Sequence, residues 1–183
     1  MIAVKRIIRY VNGTPDYGLW HSKDSNACLA SYSNADWAGS VDDRKSTSTG
    51  YFYLRNNLVS WMGKKQNSIS LSIAEVEYIA AGSCCTQLLW MKKLLHDYGI
   101  PQDTICVFCD NTSAINLSKN LVQHSKLKHI EIRYHFIQDL VEDKVVCLEF
   151  IHTNNQKTDI FTKPLDGPRF ESLRKTIGVG TIP

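Results

Sequence analysis

The chain has 183 residues, with 21 Lys and Arg against 18 Asp and Glu, a formal net charge of +3, and 43% hydrophobic residues. That length suits one core with at most a short appendage, and the even spread of aromatic and aliphatic residues excludes wholesale disorder. No apolar run approaches the roughly 18 residues of a membrane span, and the opening MIAVKRIIRY lacks a signal-peptide cleavage region, so an intracellular protein without a membrane partner is expected.

In chain order, Ile2, Val4, Ile7, Ile8 and Val11 recur at helical spacing until Asn12-Gly13-Thr14-Pro15 stops them. Gly18-Leu19-Trp20 is too short to assign. Residues 28–33 read as a strand, followed by a polar loop over 42–50. Residues 51–54 and 58–62 read as a hairpin with Asn56-Asn57 at the turn. The longest helical period covers 73–98, with Ser72 as N-cap, Glu75 completing a capping box, and Gly99-Ile100-Pro101 as the stop. Residues 105–109 form a strand that ends at Asp110, and Asn111-Thr112 opens a short helix to about Ser118. A helix over 130–141, a strand over 145–151 and two short helical pieces over 159–163 and 169–177 complete the chain. Sequential strands followed by strands separated by helices imply an α/β domain with a mixed sheet covered by helices.

Six cysteines stand at 28, 84, 85, 106, 109 and 147. Cys106 and Cys109 are three apart on a strand and point to opposite faces, so they grip one metal poorly. The expected state is six reduced thiols, acting mostly as small buried hydrophobes, and no zinc.

The acidic residues carry the chemistry. Asp36, in SNADWAG, lies at or just past the first strand's end, and Asp110 ends ICVFCD; strand carboxyl ends are the usual ligand sites of open α/β sheets. Glu77 shares a helical line with Ala80, Ala81, Cys84 and Leu88, so it points at the sheet, where a carboxylate is costly unless paired or metal-bound. Asp159 opens a late helix in TNNQKTDIFTK. Asp36 and Asp110 taken singly are equally well turn or cap residues, and Asp159 alone reads better as a surface helix-start residue. Together the four acids can hold two Mg²⁺ ions across a phosphate oxygen.

The stretches AVKRIIRYVNGTPDYGL, ASYSNADWAGSVDDRKSTSTGYFY, VSWMGKKQNSISLSIAEVEYIAA, CDNTSAI, HSKLKHIEIRYHF and NNQKTDIFTKPL resemble the ribonuclease H domain of copia-type retrotransposon Pol polyproteins. The resemblance implies a ribonuclease H-like fold, a five-stranded mixed sheet flanked by helices, and a D-E-D-D set binding two Mg²⁺, or Mn²⁺. Glu77, Asp110 and Asp159 match that set by motif. The family's D-A-D-W reads Asn34-Ala35-Asp36-Trp37 here, so its first acid is replaced by Asn34. An amide oxygen cannot supply a bridging charge. Asp36 shares a strand face with position 34 and can stand in only if the strand continues that far.

By the same resemblance, residues 1–20 match the segment that connects reverse transcriptase to the nuclease, and 21–183 the nuclease domain. The chain then reads as a C-terminal piece of a larger polyprotein in a cytoplasmic virus-like particle or the nucleus, with no small-molecule cofactor and no polymerase palm. Its expected activity is hydrolysis of the RNA strand of RNA–DNA hybrids during reverse transcription, with the reverse transcriptase portion as partner. The alternative is a silent nucleic-acid-binding relic.

Hybrid recognition needs phosphate and 2′-OH contacts. The candidates are Arg44, Lys45, Ser46 and Thr47 in the loop after the first strand, Lys64 and Lys65 before the long helix, Asn111 beside Asp110, and Lys128 in the basic stretch KLKH. Solvated loops explain the basic segments equally well. The histidines at 124, 129 and 135 lack a metal-binding spacing. His152 precedes the Asp159 motif where cellular ribonucleases H carry a histidine that assists product release; a polar strand-end residue is the plainer reading.

Overall fold

Aromatic and β-branched residues at alternate positions pair five segments into one sheet. The computed structural model describes residues 1–23, 28–119 and 131–181, with only the backbone described at 131–134. Strands β2 (Leu29–Ala35), β3 (Thr47–Leu54), β4 (Asn57–Lys65), β5 (Ile105–Cys109) and β6 (Val146–Phe150) lie in the order β4-β3-β2-β5-β6. The first three form an antiparallel meander, and β5 and β6 add in parallel beside β2. This is the mixed five-stranded sheet expected from the sequence.

The hairpin turn lies one residue earlier than expected. Leu54 pairs with Asn57, and the two central residues are Arg55 and Asn56, at φ 55° and 63°. Positive φ at both central positions matches the right-handed twist of the strands it joins. The hairpin also runs further than its apolar part: Thr47, Ser48 and Thr49 pair with Lys65, Lys64 and Gly63, although their polarity reads as loop.

Helix α2 (Ile73–Asp97) crosses one face of the sheet. Ser72 Oγ accepts from Glu75 N at 3.2 Å, and Glu75 Oε2 accepts from Leu71 N at 2.8 Å, so the return contact reaches one residue further back than a simple capping box. Ser72→Ala is expected to cost about 1 kcal/mol. Urea denaturation should register this as a lower midpoint at an unchanged slope; an unmoved midpoint refutes the cap. Leu29, Phe52, Tyr78, Ile79, Leu88 and Val107 pack the core beneath the helix.

The other sheet face carries Tyr32, Tyr51, Tyr53 and Phe108, covered by the C-terminal segment through Ile160, Phe161, Ile177 and Val179. That segment holds α5 (Asp159–Thr162), α6 (Gly167–Thr176) and β7 (Val179–Thr181). The stretch too short to assign, β1 (Tyr17–Leu19), pairs antiparallel with β7, a contact that no local pattern encodes. Helices α3 (Thr112–Lys119) and α4 (Glu131–Glu142) complete the α2 side, and α1 (Ile2–Gly13) forms as its period predicts but buries none of its residues. Among the described residues, no helix is long and apolar enough to cross a membrane.

The cysteine expectation needs correction. Cys84, Cys85 and Cys109 are free and buried, but Cys28 is exposed and Cys106 is disulfide-bonded to Cys147. These two are direct partners in the parallel β5–β6 register, with Cα atoms 4.8 Å apart. A separation of 41 residues hides that pairing from a reading of local spacing.

Candidate functional site

Where β2 and β5 end side by side, four elements bring their polar residues together. Asn34 lies near the end of β2, Asp110 follows β5, α2 supplies Glu77, and α5 opens on Asp159. The segment before Asp159 is pinned to β2 by Gln156, which is fully buried: its Nε2 donates to Ser33 O at 2.9 Å, and its Oε1 accepts from Thr158 Oγ1 at 2.7 Å.

The replacement of acid by amide sits inside this cluster. Asn34 is 1% exposed, and its Nδ2 donates to Asp159 Oδ1 at 2.8 Å and to Thr162 Oγ1 at 3.2 Å. Asp36 is not brought in. The strand stops at Ala35, and Asp36 turns back over its own loop, accepting from Thr47 N and closing on Gly39, where a Cβ would collide with Asp36 Oδ2. The shared strand face of positions 34 and 36 ends one residue too early for Asp36 to replace the missing acid.

Glu77 is 5% exposed. Its Oε1 accepts from Ala35 N at 3.2 Å, whereas Oε2 is buried with no hydrogen-bond partner. Burial, followed by repulsion from Asp110, pushes its pKa up to about 8; the Ala35 N–H and the Lys163 ammonium oppose this, and Asp159 adds to it. Asp110 is half-buried, and its Oδ2 accepts from Thr153 Oγ1 at 3.0 Å. Asp159 is paired with Lys163 Nζ at 2.6 Å, and Arg169 lies 3.9 Å from its other oxygen.

These residues fit a cation unevenly. Ligand atoms of Glu77, Cys109 and Asp110 lie within 4.8 Å of one another, and the unpartnered Glu77 Oε2 lacks the charge that a hard divalent ion would bring. On the Asp159 side, the Asn34 amide and the Lys163 ammonium already stand against Oδ1, and the Arg169 guanidinium lies 3.9 Å from Oδ2.

The proposed substrate contacts are scattered. Arg44 and Lys64 are exposed, and Lys45 is half-buried. Lys65 is paired with Asp43 at 2.8 Å and donates to Ser40 Oγ, and its hydrogen bond is the main cause holding the Asp43 carboxyl down to about 2. Ser46 is buried with its Oγ accepting from Ala38 N at 2.9 Å, and Thr47 N is taken by Asp36, so both serve the loop itself. Asn111 Oδ1 caps α3 by accepting from Ala114 N at 3.0 Å. His152 Nδ1 accepts from Asn154 N at 3.2 Å, capping a short turn. Lys128 and the histidines at 124 and 129 lie outside the described residues.

Lys163, Thr153 and Gln156 contact or position the cluster and are missed by motif reasoning. Only Lys163 carried a local signal, since Asp159 and Lys163 stand at the i,i+4 spacing of a helical ion pair.

No family model matches the chain. Solved structures define the fold. The N-terminal ribonuclease H domain of a Mycobacterium tuberculosis protein superposes with a TM-score of 0.52 at 9% identity, covering 82% of this chain and 98% of that one. LC11-RNase H1, isolated from compost, gives 0.54 at 11% identity over 82% and 96%. A foamy viral protease–reverse transcriptase solved with double-stranded DNA gives 0.52 at 15% identity over 81% and 28%. The architecture is therefore that of a ribonuclease H-like domain.

By sequence, the chain is similar to the retrovirus-related Pol polyproteins of plant transposons. It is 38% identical over 182 residues to the Pol polyprotein of transposon RE2 from Arabidopsis thaliana, covering 99% of this chain and 12% of that protein. It is 40% identical over 178 residues to that of transposon TNT 1-94 from Nicotiana tabacum, covering 97% and 13%. The chain thus spans about an eighth of the length of these relatives.

Proposed function

We propose that this domain is a metal-dependent endonuclease that hydrolyses the RNA strand of RNA–DNA hybrids during retrotransposon reverse transcription. The observation that carries the proposal is the meeting of Glu77 and Asp110 at the carboxyl ends of β2 and β5, with Glu77 Oε2 buried and unpartnered and Asp159 near enough to repel its charge. Glu77 and Asp110 are the residues that would hold Mg²⁺ or Mn²⁺. A divalent cation there supplies activation of a water molecule and neutralisation of charge on the phosphate.

The chain's own residues do the rest. Thr153 holds Asp110 by its Oδ2, and the Ala35 N–H holds Glu77 by its Oε1, which orients both carboxylates. Asn34 and Gln156 hold Asp159 and its segment against β2. A second cation on Asp159 Oδ1 would displace Lys163, whose side chain is 42% exposed and can turn toward a duplex phosphate. Arg44, Lys45, Lys64 and Lys65 are the proposed phosphate contacts on the hybrid. Residues 1–20 are proposed as the link to a reverse transcriptase portion, against which the exposed Ile2, Val4, Ile7 and Ile8 side of α1 would pack.

One observation favours a second reading, a silent nucleic-acid-binding domain: the Asn34–Asp159 hydrogen bond satisfies the site internally, without a cation. A labelled RNA–DNA hybrid incubated with the protein in Mg²⁺, Mn²⁺ or EDTA separates the two. The expected result is metal-dependent cutting of the RNA strand alone, lost in Asp110→Asn. Cutting absent from the folded protein but present in Asn34→Asp establishes the silent reading, and cutting absent from both overturns the nuclease assignment.

A further inference from the structure

On the sheet face away from α2, the C-terminal segment leaves an open cavity of about 400 Å³ whose walls include Tyr32, Asn154, Asn155, Lys157, Arg169 and Thr176. Lys157 is the unusual residue. Its Nζ stands 4.9, 5.5 and 5.4 Å from the ring centroids of Tyr32, Tyr51 and Tyr53. No acid or hydrogen-bond acceptor among the described residues is paired with it.

Aromatic faces attract a cation but carry no net charge, so they compensate only part of the hydration that Lys157 gives up. The Tyr51 hydroxyl in the same aromatic cluster is also buried without a hydrogen-bond partner. A cation held half out of water with no counter-charge, opening into a cavity, is an anion site by its electrostatics.

Arg169 adds a second charge on the cavity wall. Its guanidinium is fixed by donating to Asn154 O at 2.6 Å and Thr153 O at 3.3 Å. The acid near it, Asp159 at 3.9 Å, is already paired with Lys163 at 2.6 Å. Two cations would take a phosphate, and the amides of Asn154 and Asn155 offer donors and acceptors to a base edge. The Tyr32 ring is buried against Tyr51, Tyr53 and Phe108 and closes the floor of the cavity beneath Lys157. The volume lies in the range of small-ligand pockets, roughly 300–1,000 Å³.

We propose that this cavity binds a nucleoside 5′-monophosphate group, with the phosphate on Lys157 and Arg169 and the base toward Asn154 and Asn155. The group is either a free mononucleotide or the phosphorylated end of a strand. The site uses neither Glu77 nor Asp110, and it borders the nuclease cluster only where Arg169 lies 3.9 Å from Asp159.

Isothermal titration of the full chain with AMP, adenosine, and a dinucleotide with or without a 5′-phosphate tests it. AMP should bind saturably and adenosine at least tenfold more weakly. Lys157→Met should lose at least tenfold in AMP affinity, while Asp110→Asn retains it. Tight binding of the phosphorylated dinucleotide identifies a strand-end site; binding of AMP alone identifies a free nucleotide. If Lys157→Met does not fold, Arg169→Gln must show the loss. Absence of binding at millimolar AMP, or affinity unchanged by removal of the phosphate or of Lys157, overturns the proposal.

Discussion

Replacing Asn34 by Asp is expected to raise RNA-strand cleavage in Mg²⁺ by on the order of 100-fold, because it adds an anionic ligand at the point nearest Asp159. In the native chain this point carries an amide whose Nδ2 donates to Asp159 Oδ1 at 2.8 Å. The amide stabilises the cluster without a cation and offers a second ion no charge. A carboxylate there reverses both effects. It faces Asp159 without a proton to share, so the variant should be less stable than the native chain in EDTA by about 1–3 kcal/mol, the usual value of a hydrogen bond to a charged group together with the new repulsion. Mg²⁺ should restore that stability. Thermal unfolding in EDTA and in Mg²⁺, run beside the cleavage assay, reads both changes. A variant as stable as the native chain in EDTA, with no gain in cutting, would show that position 34 has no part in the site.

Glu77→Gln should stabilise the protein in EDTA at neutral pH while removing its response to divalent cations. The buried Glu77 carboxyl keeps its proton up to about pH 8, against an ordinary value of 4.5. An acid whose pKa is raised by folding leaves stability untouched below its unfolded value. It then costs stability progressively as pH rises toward the folded value, and no more beyond that. Native stability should therefore fall between about pH 4.5 and 8, with a cost on the order of 3 kcal/mol at pH 7 that Glu77→Gln lacks. The amide keeps an oxygen for the Ala35 N–H and brings donors toward Asp110. Cation affinity of the native chain should strengthen by up to tenfold per pH unit across the upper part of this window, as the ion displaces one proton. Denaturation midpoints at pH 5 and pH 8 check the first claim, and Mn²⁺ titration at pH 6, 7 and 8 the second. Equal midpoints for native and Glu77→Gln proteins at pH 8 would mean that Glu77 is not held in a desolvated position.

The periodic elements were legible because their information is local. α2 announces itself through Ser72, Glu75 and an apolar line that also carries Glu77 toward the sheet, and the strand ending at Asp110 through ICVFC. The placement of three acids near one another followed from where those elements end. The extent of β3 and β4 did not, since polar residues at 47–49 and 63–65 pair through their backbones and hide the strand.

What the sequence by itself determined is the α/β architecture, the homology-bearing motifs and the positions of Glu77, Asp110 and Asp159. Only the tertiary structure decided that Asn34 rather than Asp36 stands beside Asp159, that Cys106 meets Cys147, that β1 closes on β7, and that Lys157 enters an aromatic cage. The physical reason is range. Helical period, caps and turns are set by neighbours within about four residues. The Asn34–Asp159 bond joins positions 125 residues apart, and the Ala35–Glu77 bond joins positions 42 apart, contacts whose partners are selected only when the sheet and its covering helices have packed.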